Sequence, residues 1–278
     1  MKKIFRTLAL MLLVTSATAF AASKGEVLVL LSGKTELPLQ NNKTFPSGYY
    51  LNEFGVPADA LIRAGYHLTV VTPEGTQPRA DQRSRDALYF GGDVNEMHRI
   101  EGVVSALTQA DQVKSLKTVL AAGLDNYDAL FIPGGHAPLI DLSNNPEVGR
   151  LLRDFHRKRK PTAAICHGPI TLLAAQDDPQ GYEQGLVADR DVSADHWIYR
   201  GYKMTIFADE EEKIFEASLK GEKLRYYPAR AMKQAGGNMN FAAAWQPHVV
   251  VDRELITGQN PFSDHLLASA LLKALAAQ

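Results

Sequence analysis

Short apolar runs alternate with longer segments of helical period along most of the chain, and this alternation limits the fold more than any other feature. Val27–Leu31 and Ala129–Ile132 are apolar at consecutive positions, so strands of this kind must be covered on both faces. A mostly parallel sheet sandwiched by helices meets that requirement, and we predict an α/β fold. The predicted strands lie at residues 27–31, 68–72, 129–132, 162–165, 204–207, 249–251 and 255–257.

Helical segments separate these runs, and several of them begin or end with residues that are typical of helix termini. In one of them Pro146 fits the first helical position, while the basic cluster Arg157–Lys160 and Pro161 fit the C-terminal end. Two irregular stretches, residues 32–50 and 177–202, are either binding loops and lids or plain surface. The sequence has no internal repeat and no linker composition, so we predict one domain over residues 22–278. The predicted helices lie at about residues 51–64, 113–122, 146–159, 168–175, 210–218 and 263–276.

The first residues have the organisation of a secretory signal peptide. Lys2 and Lys3 precede the apolar run Leu8–Val14, and an Ala-x-Ala site follows at Ala19 and Ala21. The apolar run is shorter than the roughly 20 residues that span a bilayer. An amphipathic first helix of the fold is the alternative, but no later apolar repeat continues it. We therefore expect a signal peptide over residues 1–21, cleavage near Ala21, and a periplasmic or secreted mature protein without a membrane span.

The charge balance and the cysteine count narrow the classes of partner. The 30 Lys and Arg residues stand against 31 Asp and Glu, a formal net charge of −1, so no overall field attracts nucleic acid or an anionic membrane. Small molecules or proteins are the favoured partners. The sequence contains one cysteine, Cys166, which has no partner for an intrachain disulfide. An unpaired thiol in an oxidising compartment is either buried or functional.

Cys166 stands where a predicted strand meets a predicted helix. The run Thr162–Ile165 precedes it, and Gly168 with Pro169, a good helix opening, follows. Such a turn is a nucleophile elbow, which needs small residues on either side and holds the nucleophile at the carboxyl edge of the sheet. We predict that the adjacent helix N-terminus lowers the pKa of the thiol. A buried, inert cysteine is the alternative.

Two further segments supply groups for chemistry at this thiol. The run at residues 129–132 ends in paired glycines, so the Gly135 amide and the His167 amide form an oxyanion hole if the two strand ends meet. A plain tight turn is the alternative. Glu53 stands among Tyr, Leu, Phe and Val residues, where burial raises a carboxyl pKa and suits the group to act as acid and base. A solvent-facing glutamate on an amphipathic helix is the alternative.

These segments together resemble the ThiJ/PfpI superfamily, in particular its branch of glutathione-independent glyoxalases and heat-shock chaperones. The resemblance covers nearly the whole mature chain. It implies a flavodoxin-like, class I glutamine amidotransferase-like fold. The segments that carry it are Pro46–Gly48 with Glu53, Val71–Gly75, Pro133–His136, Ala164–Pro169, Gly201–Thr205 and Leu255–Pro261.

The resemblance also implies a reaction and the residues that perform it. Cys166 is the nucleophile, His167 is its partner, and Glu53 is the acid and base that polarises the thiol. Members of the branch convert methylglyoxal and similar 2-oxoaldehydes to 2-hydroxy acids such as D-lactate, through a thiohemiacetal and with no metal or organic cofactor. The implied function is an exported glyoxalase-like lyase of the D-lactate dehydratase type, acting on a small carbonyl substrate.

The third member of the implied triad is an acidic residue that follows the predicted strand ending at Phe207. Glu212 fits this place best, with Glu211 in reserve. The competing interpretation is a helix start in which Asp209 is the N-cap and Glu212 closes a capping box.

Two other functions stay open at this point. Some members of the branch hold unfolded proteins or are claimed to reverse early glycation, so a periplasmic holding chaperone or stress protein acting on unfolded or glycated proteins is one alternative. A cysteine amidase or peptidase with the same triad is the other. Ala164 stands where related amidotransferases carry glycine, and His248 begins no His-x-Glu pair, which argues against glutamine amidotransfer. Because oligomers are common in the superfamily, we expect a homodimer.

The remaining histidines show no metal-ligand spacing, so no zinc site is predicted. His196 with Trp197 and Tyr199 either forms a lid over the cleft or, as we favour, anchors its own loop. His248 is expected at a strand or cleft edge. Surface positions are expected for most of the others, His67, His98, His156 and His265.

Overall fold

The computed structural model describes residues 23–278, and the predicted signal peptide at residues 1–21 lies outside them. The strands are β1 (Glu26–Leu30), β2 (Glu36–Pro38), β3 (Thr44–Pro46), β4 (His67–Thr72), β5 (Lys114–Ser115), β6 (Ala129–Ile132), β7 (Thr162–Ile165), β8 (Lys203–Met204), β9 (Asn238–Met239), β10 (Val249–Asp252) and β11 (Leu255–Gly258). The helices are α1 (Leu51–Arg63), α2 (Val94–Leu107), α3 (Leu116–Ala122), α4 (Pro138–Asp141), α5 (Pro146–Arg157), α6 (Pro179–Val187), α7 (Asp209–Ala217), α8 (Pro228–Ala235) and α9 (Asp264–Ala276). Within the described range, no helix is both long and apolar enough to cross a membrane.

The central sheet has the strand order β10-β11-β7-β6-β1-β4-β5. It is parallel except at β10, which pairs antiparallel with β11. Alternate side chains of β1 face opposite layers, because successive residues of a strand point to opposite faces. Val27 and Val29 pack in the core with α1, α2 and α9, whereas Leu28 and Leu30 pack with α3 and α5. The predicted sandwich of helices around a mostly parallel sheet is confirmed.

The chain reverses its direction of travel across the sheet between β1 and β6. The strands that follow β1 first extend to β4 and β5 on one side, and then β6, β7 and β11 extend the sheet on the other side. At such a switch point the loops leaving neighbouring strands diverge and leave a crevice at the carboxyl edge of the sheet. β6 and β7 are neighbours there, so the glycines after β6 and Cys166 after β7 are brought together.

Some elements differ from the sequence prediction, each for a local reason. The apolar pattern does not predict α2, because Ile100 and Val104 are its buried residues and the rest of the helix is polar or partly exposed. The predicted strand at residues 204–207 is wrong beyond Met204, since the Thr205 N–H donates to the Thr257 hydroxyl at 2.9 Å rather than to a strand carbonyl. α3 begins at Leu116 rather than at residue 113, because the two residues before it pair with β4 as β5.

Both stretches predicted to be irregular contain regular structure. The first holds the hairpin β2–β3, and the second holds α6. In the second, Trp197 and Tyr199 are buried in the core, and the Trp197 indole N–H donates to the Leu172 carbonyl at 2.7 Å. His196 is exposed and lies 2.6 Å from an oxygen of Asp177. The structure agrees with the favoured interpretation, in which the two aromatic residues anchor their own loop.

Candidate active site

Cys166 occupies a sharp, strained turn. It directly follows β7 and leads into a 3-10 helix over Gly168–Ala175. Its φ of 57° lies in the left-handed region, which residues with a Cβ adopt rarely. Two backbone bonds of 2.9 Å hold the turn, from the Cys166 N–H to the Gly258 carbonyl and from the Phe207 N–H to the Cys166 carbonyl. The predicted elbow is therefore present, and the thiol on it is buried.

A chain of hydrogen bonds connects this thiol to a buried carboxylate. The Cys166 Sγ lies 3.2 Å from Nδ1 of His167, and Nε2 of His167 lies 2.7 Å from Oε2 of Glu212. Because a carboxylate accepts and does not donate, the His167 Nε2–H donates to Glu212 and its Nδ1 is free to accept from the thiol. The structure thus places the predicted nucleophile, histidine and acid in the order that a cysteine triad requires.

The two neighbouring glutamates at the start of α7 have different partners. Glu212 bonds to His167, whereas the Glu211 carboxylate accepts from the N–H of Ala208 at 2.9 Å and from the N–H of Trp245 at 2.7 Å. Glu211 therefore makes the capping interaction that the competing interpretation gave to Glu212, and Ala208 takes the N-cap position. The geometry favours Glu212 as the triad acid, and its catalytic role stays a prediction.

His136 is a functional candidate that the sequence reasoning missed. Its Nε2–H donates to the second oxygen of Glu212 at 2.8 Å, so both oxygens of this buried carboxylate are satisfied by imidazoles. Its ring packs between those of His167 and Phe215, at centroid distances of 3.8 and 3.9 Å. The available sequence signal was its position directly after the paired glycines, because that turn faces Cys166 in the folded chain.

Burial and the two imidazoles set the charges of this group. Burial tends to raise the pKa of Glu212, but His167 and His136 outweigh it and lower the pKa to about 2. Burial, with His167 alongside, lowers the pKa of His136 to about 4. Near neutral pH the site therefore holds an ionised Glu212 and an uncharged His136 that donates to it.

The lowered pKa of His136 predicts a specific dependence of stability on pH. Unfolding restores a histidine pKa near 6.5, so the unfolded state binds the proton first as the pH falls. His136 thus removes stability from the folded state between about pH 6.5 and pH 4, by roughly 3 kcal/mol in total. We expect His136→Gln to gain about this much relative to the wild type when the pH is lowered from 7.5 to 4, as measured by urea unfolding.

The control for this measurement is His98→Gln, at an exposed histidine on α2. This variant is expected to follow the wild-type pH profile. A wild-type minus His136→Gln difference that stays constant over the same range would show that His136 is not held uncharged.

Glu53 faces the thiol from the first turn of α1 and is completely buried. Within the described residues, neither of its carboxyl oxygens has a hydrogen-bond partner of ordinary geometry, and the Cys166 thiol and the Gly135 N–H are polar groups directed at them. Burial is the main reason that the pKa of Glu53 is well above its usual range. The carboxyl is therefore protonated near neutral pH, which agrees with the expectation that burial raises this pKa.

The thiol differs from expectation in the direction of its pKa. The sequence predicts a lowered value beside a helix N-terminus, whereas burial, followed by the nearby Glu53, raises the pKa of Cys166 well above its usual range. The short 3-10 helix after the elbow does not outweigh the removal of the thiol from water. In the resting site the thiol therefore keeps its proton, and any attack by the sulfur would require that this proton leave.

The turn after β6 explains why two glycines stand there. A Cβ on Gly134 would collide with the Glu53 carboxyl and the Ile165 carbonyl. Gly135 has a φ of 79°, and its N–H is directed at both the Cys166 thiol and the Glu53 carboxyl. These positions let the backbone approach the reacting atoms, as an oxyanion hole requires. The assignment of the Gly135 and His167 amides to that hole stays a prediction.

A cavity of about 240 Å³ lies over Cys166. A second groove of about 490 Å³ shares the wall residue Arg83 with this cavity but does not reach the thiol, so the smaller cavity is the candidate active site. Its lining residues are Tyr50, Arg83, Tyr89, Gly135, His136, Cys166, His167, Phe207, Ile214, Phe215, Ser218, Trp245 and Pro261.

Among residues 23–278, one buried group has the composition of a metal site. The side-chain nitrogens of His136 and His167 and an oxygen of Glu212 lie within 4.8 Å of one another. Each carboxylate oxygen already accepts an imidazole N–H, so hydrogen bonding accounts for the cluster. His248 lies elsewhere, on the segment before β10, where its Nε2 is 2.8 Å from the Asn240 side chain.

A cysteine on a strained turn after a central parallel strand, followed by a histidine bonded to a buried carboxylate, defines a class of cysteine-nucleophile proteins with the class I glutamine amidotransferase-like fold. The family model for the DJ-1/PfpI family matches residues 45–181, which run from β3 through the elbow into α6. The matched residues belong to this family, which is the ThiJ/PfpI family that the sequence segments resemble.

Named relatives extend the similarity over most of the chain. The chain is 26% identical over 265 residues to the protein/nucleic acid deglycase HchA of Pseudomonas aeruginosa, which covers 90% of this chain and 82% of that protein. The HchA of Escherichia coli O157:H7 is 28% identical over 253 residues, with coverage of 88% and 78%. Glyoxalase III from Candida albicans has a similar fold, with a TM-score of 0.68, 21% identity, and coverage of 90% and 97%.

Proposed function

We propose that the protein is a cysteine-dependent enzyme of the glyoxalase type, which converts 2-oxoaldehydes such as methylglyoxal to 2-hydroxy acids without glutathione. One observation carries the proposal. The Cys166 thiol lies 3.2 Å from Nδ1 of His167, is close to the buried, protonated Glu53, and lines a small cavity. Two proton-transfer groups beside one sulfur are what the conversion of an adjacent aldehyde and ketone requires.

The first step joins the aldehyde to the sulfur. Cys166 attacks the aldehyde carbon, its proton passes to Nδ1 of His167, and Glu53 protonates the aldehyde oxygen to give a thiohemiacetal. The Gly135 N–H stabilises the oxygen while charge develops on it. Glu53 is then a carboxylate and His167 an imidazolium, which Glu212 stabilises through Nε2.

The second step moves hydrogen between the two substrate carbons. The Glu53 carboxylate removes the hydrogen of the former aldehyde carbon as a proton, and His167 protonates the ketone oxygen, which gives an enediol. Glu53 returns its proton to the second carbon, and His167 takes the proton of the first oxygen, which leaves a thioester.

Hydrolysis of the thioester returns every group to its starting state. Water attacks the thioester carbon and loses a proton to Glu53, the sulfur leaves, and His167 protonates it. The net reaction adds one water to the 2-oxoaldehyde and releases the 2-hydroxy acid. The same residues are used in each step, which fits a site with no other titratable group directed at the sulfur among the described residues.

The first test is turnover by residues 22–278 with methylglyoxal and no glutathione. We expect lactate at a kcat on the order of 1–10 s⁻¹, and we expect D-lactate as the product, measured with stereospecific lactate dehydrogenases. Folded protein that forms no lactate would contradict the proposal. It would direct attention to the holding chaperone and the amidase or peptidase, to be measured by suppression of aggregation and by amide hydrolysis.

The names of the relatives favour a second candidate, removal of methylglyoxal adducts from proteins. The adduct carbon carries an oxygen and a hydrogen as the aldehyde does. In the transfer the Cys166 sulfur bonds to this carbon, the bond from the carbon to the sulfur or nitrogen of the modified protein breaks, and the thiol proton passes through His167 to that leaving group. Release of free N-acetylcysteine from its methylglyoxal adduct, compared with the spontaneous rate, separates the two candidates. An enzymatic rate that exceeds spontaneous release shows attack on the adduct itself, and an equal rate shows action on free aldehyde.

We also propose export and a homodimer, in line with the expectations from the N-terminus and the superfamily. Cell fractionation with cleavage mapped by mass spectrometry tests the first, and sedimentation tests the second. The net charge of −1 supports small carbonyl compounds and modified proteins, rather than polyanions, as the partners.

A further inference from the structure

The cavity over Cys166 is far more aromatic than the proposed chemistry requires. Proton transfer uses the polar groups beside the sulfur, yet the walls of the cavity also carry five aromatic rings. Its charged residue Arg83 is paired with Asp81 and stacks on Phe215, with 4.8 Å from its guanidinium carbon to the ring centre. The rings on these walls are Tyr50, Tyr89, Phe207, Phe215 and Trp245.

These aromatic walls support one another and are preformed. Phe207 and Trp245 meet edge to face, with ring centres 5.6 Å apart and an angle of 72°. Tyr50 and Tyr89 meet in the same way at 5.4 Å and 69°. Because each ring is held by a neighbour, the cavity keeps its width rather than collapsing onto a small ligand.

Trp245 shows that the chain maintains this wall against a backbone preference. Its φ of 63° is in the left-handed region, which is a genuine outlier for a bulky residue. Its N–H donates at 2.7 Å to Glu211, a fully buried carboxylate that also accepts from the side chains of Gln259 and Asn260. Strained residues persist where the surroundings hold them, and they cluster at ligand sites. Glu211 therefore fixes the backbone of Trp245, a residue that lines the cavity over Cys166.

We infer that the favoured substrate carries an aromatic or similarly large, flat apolar group next to its dicarbonyl, as arylglyoxals do. This inference rests on the proposed function. The methyl group of methylglyoxal leaves most of a cavity of about 240 Å³ unfilled, whereas a phenyl group reaches the aromatic walls. One methylene in an apolar pocket already changes kcat/KM by about 10- to 200-fold, so a whole ring is expected to contribute at least tenfold. Phenylglyoxal and water give mandelate by the same steps.

Alkylation of Cys166 tests the pocket without any turnover. Phenacyl bromide and bromoacetone each form one S–C bond with a thiol and release bromide and the thiol proton, and Cys166 is the one cysteine of the sequence. We expect the phenacyl to bromoacetone rate ratio at Cys166, measured by mass spectrometry, to exceed the ratio for free cysteine at least tenfold. Equal ratios for the protein and for free cysteine would overturn the inference.

Substitution of Trp245 locates the preference within the pocket. Trp245→Ala is expected to reduce the alkylation ratio to within about threefold of that for free cysteine, and Trp245→Phe to restore part of it. Phe241→Ala removes an exposed aromatic residue that does not line the cavity, and it is expected to keep the wild-type ratio. A ratio that survives Trp245→Ala in folded protein would contradict the assignment of this wall.

Turnover separates failure of this inference from failure of the proposed function. We expect kcat/KM for phenylglyoxal to exceed that for methylglyoxal at least tenfold, measured as mandelate and lactate formed. Turnover of both aldehydes without this preference would overturn the inference and keep the glyoxalase. No turnover of either, with the alkylation ratio still raised, would overturn the proposed reaction and keep the aromatic-binding pocket.

Discussion

Cys166→Ala is expected to lower the kcat for methylglyoxal by about 10⁴-fold or more, to the background rate. The substitution removes the atom that forms the covalent bond, and loss of a nucleophile has effects of this size in enzymes whose catalytic residues act as a unit. The fold should survive, because alanine keeps the Cβ at this strained turn and deletes a single buried atom, at a cost of about 1 kcal/mol. Turnover and thermal unfolding, measured on the same preparation, report the two effects separately.

Thr171→Ala is a matched control for the Cys166 substitution. Thr171 is a small, fully buried residue of the 3-10 helix that follows the elbow, and it does not line the cavity. Its substitution is expected to change kcat less than threefold. Lactate formation that persists in folded Cys166→Ala protein would place the chemistry elsewhere and would favour a role in which the elbow is a structural remnant.

Local signals in the sequence were sufficient to locate the elbow and the buried acid. An apolar run that is soon followed by Gly168-Pro169 favours a strand, a turn and then a helix. The position of Cys166 in that turn can therefore be predicted from the local sequence. Glu53 was interpretable because apolar neighbours on a helix imply burial, and burial sets the direction of its pKa shift. Both inferences depend on residues close in sequence, which is why they were possible.

The remaining parts of the site depend on contacts between distant segments. Glu211 and Glu212 are adjacent at the start of one helix, and the choice between them is decided by His167, which is 45 residues from Glu212. His136 can be recognised as a site residue only from the folded structure, in which β6 and β7 lie side by side. Trp245 is placed by its bond to Glu211 and by a left-handed backbone, neither of which has a signal in apolar periodicity.

The elements of the fold also differ in how well the local sequence predicts them. The two runs that are apolar at consecutive positions, Val27–Leu31 and Ala129–Ile132, correspond to the buried strands β1 and β6, as a sheet covered on both faces requires. α2 escaped prediction because two buried residues on a largely polar helix give a weak periodic signal. The pKa of Cys166 is raised, whereas the sequence predicts a lowered value. This difference also depends on distant residues, since the burial that raises the pKa is produced by segments far from Cys166 in the sequence.

Glu53→Gln is expected to lower kcat for methylglyoxal by about 10²- to 10⁴-fold while making the folded protein more resistant to high pH. Glutamine keeps the size of the side chain and a group that donates to the sulfur, but it neither gives up nor takes a proton in the reaction, and general acid–base catalysis has this magnitude. The effect should fall on kcat more than on KM, because the cavity over Cys166 keeps its shape.

The stability effect of the same substitution has the opposite sign, and this follows from the raised pKa. The folded state holds Glu53 protonated, so its contribution is fully present below the unfolded pKa of about 4.3 and is lost as the pH rises toward the raised folded value. Glutamine has no proton to lose. The unfolding free energy of Glu53→Gln should therefore rise relative to the wild type as the pH is increased from 4 to 9, as measured by urea unfolding.

The opposite signs distinguish a catalytic Glu53 from a merely structural one. A structural residue that is damaged loses activity and stability together, whereas a group kept buried for chemistry is replaced with a gain in stability and a loss of activity. Glu210→Gln, at an exposed position of α7, is expected to change neither kcat nor the pH profile of stability. Undiminished turnover in Glu53→Gln, or a stability difference from the wild type that is constant across pH, would contradict the buried, protonated acid on which the proposed reaction depends.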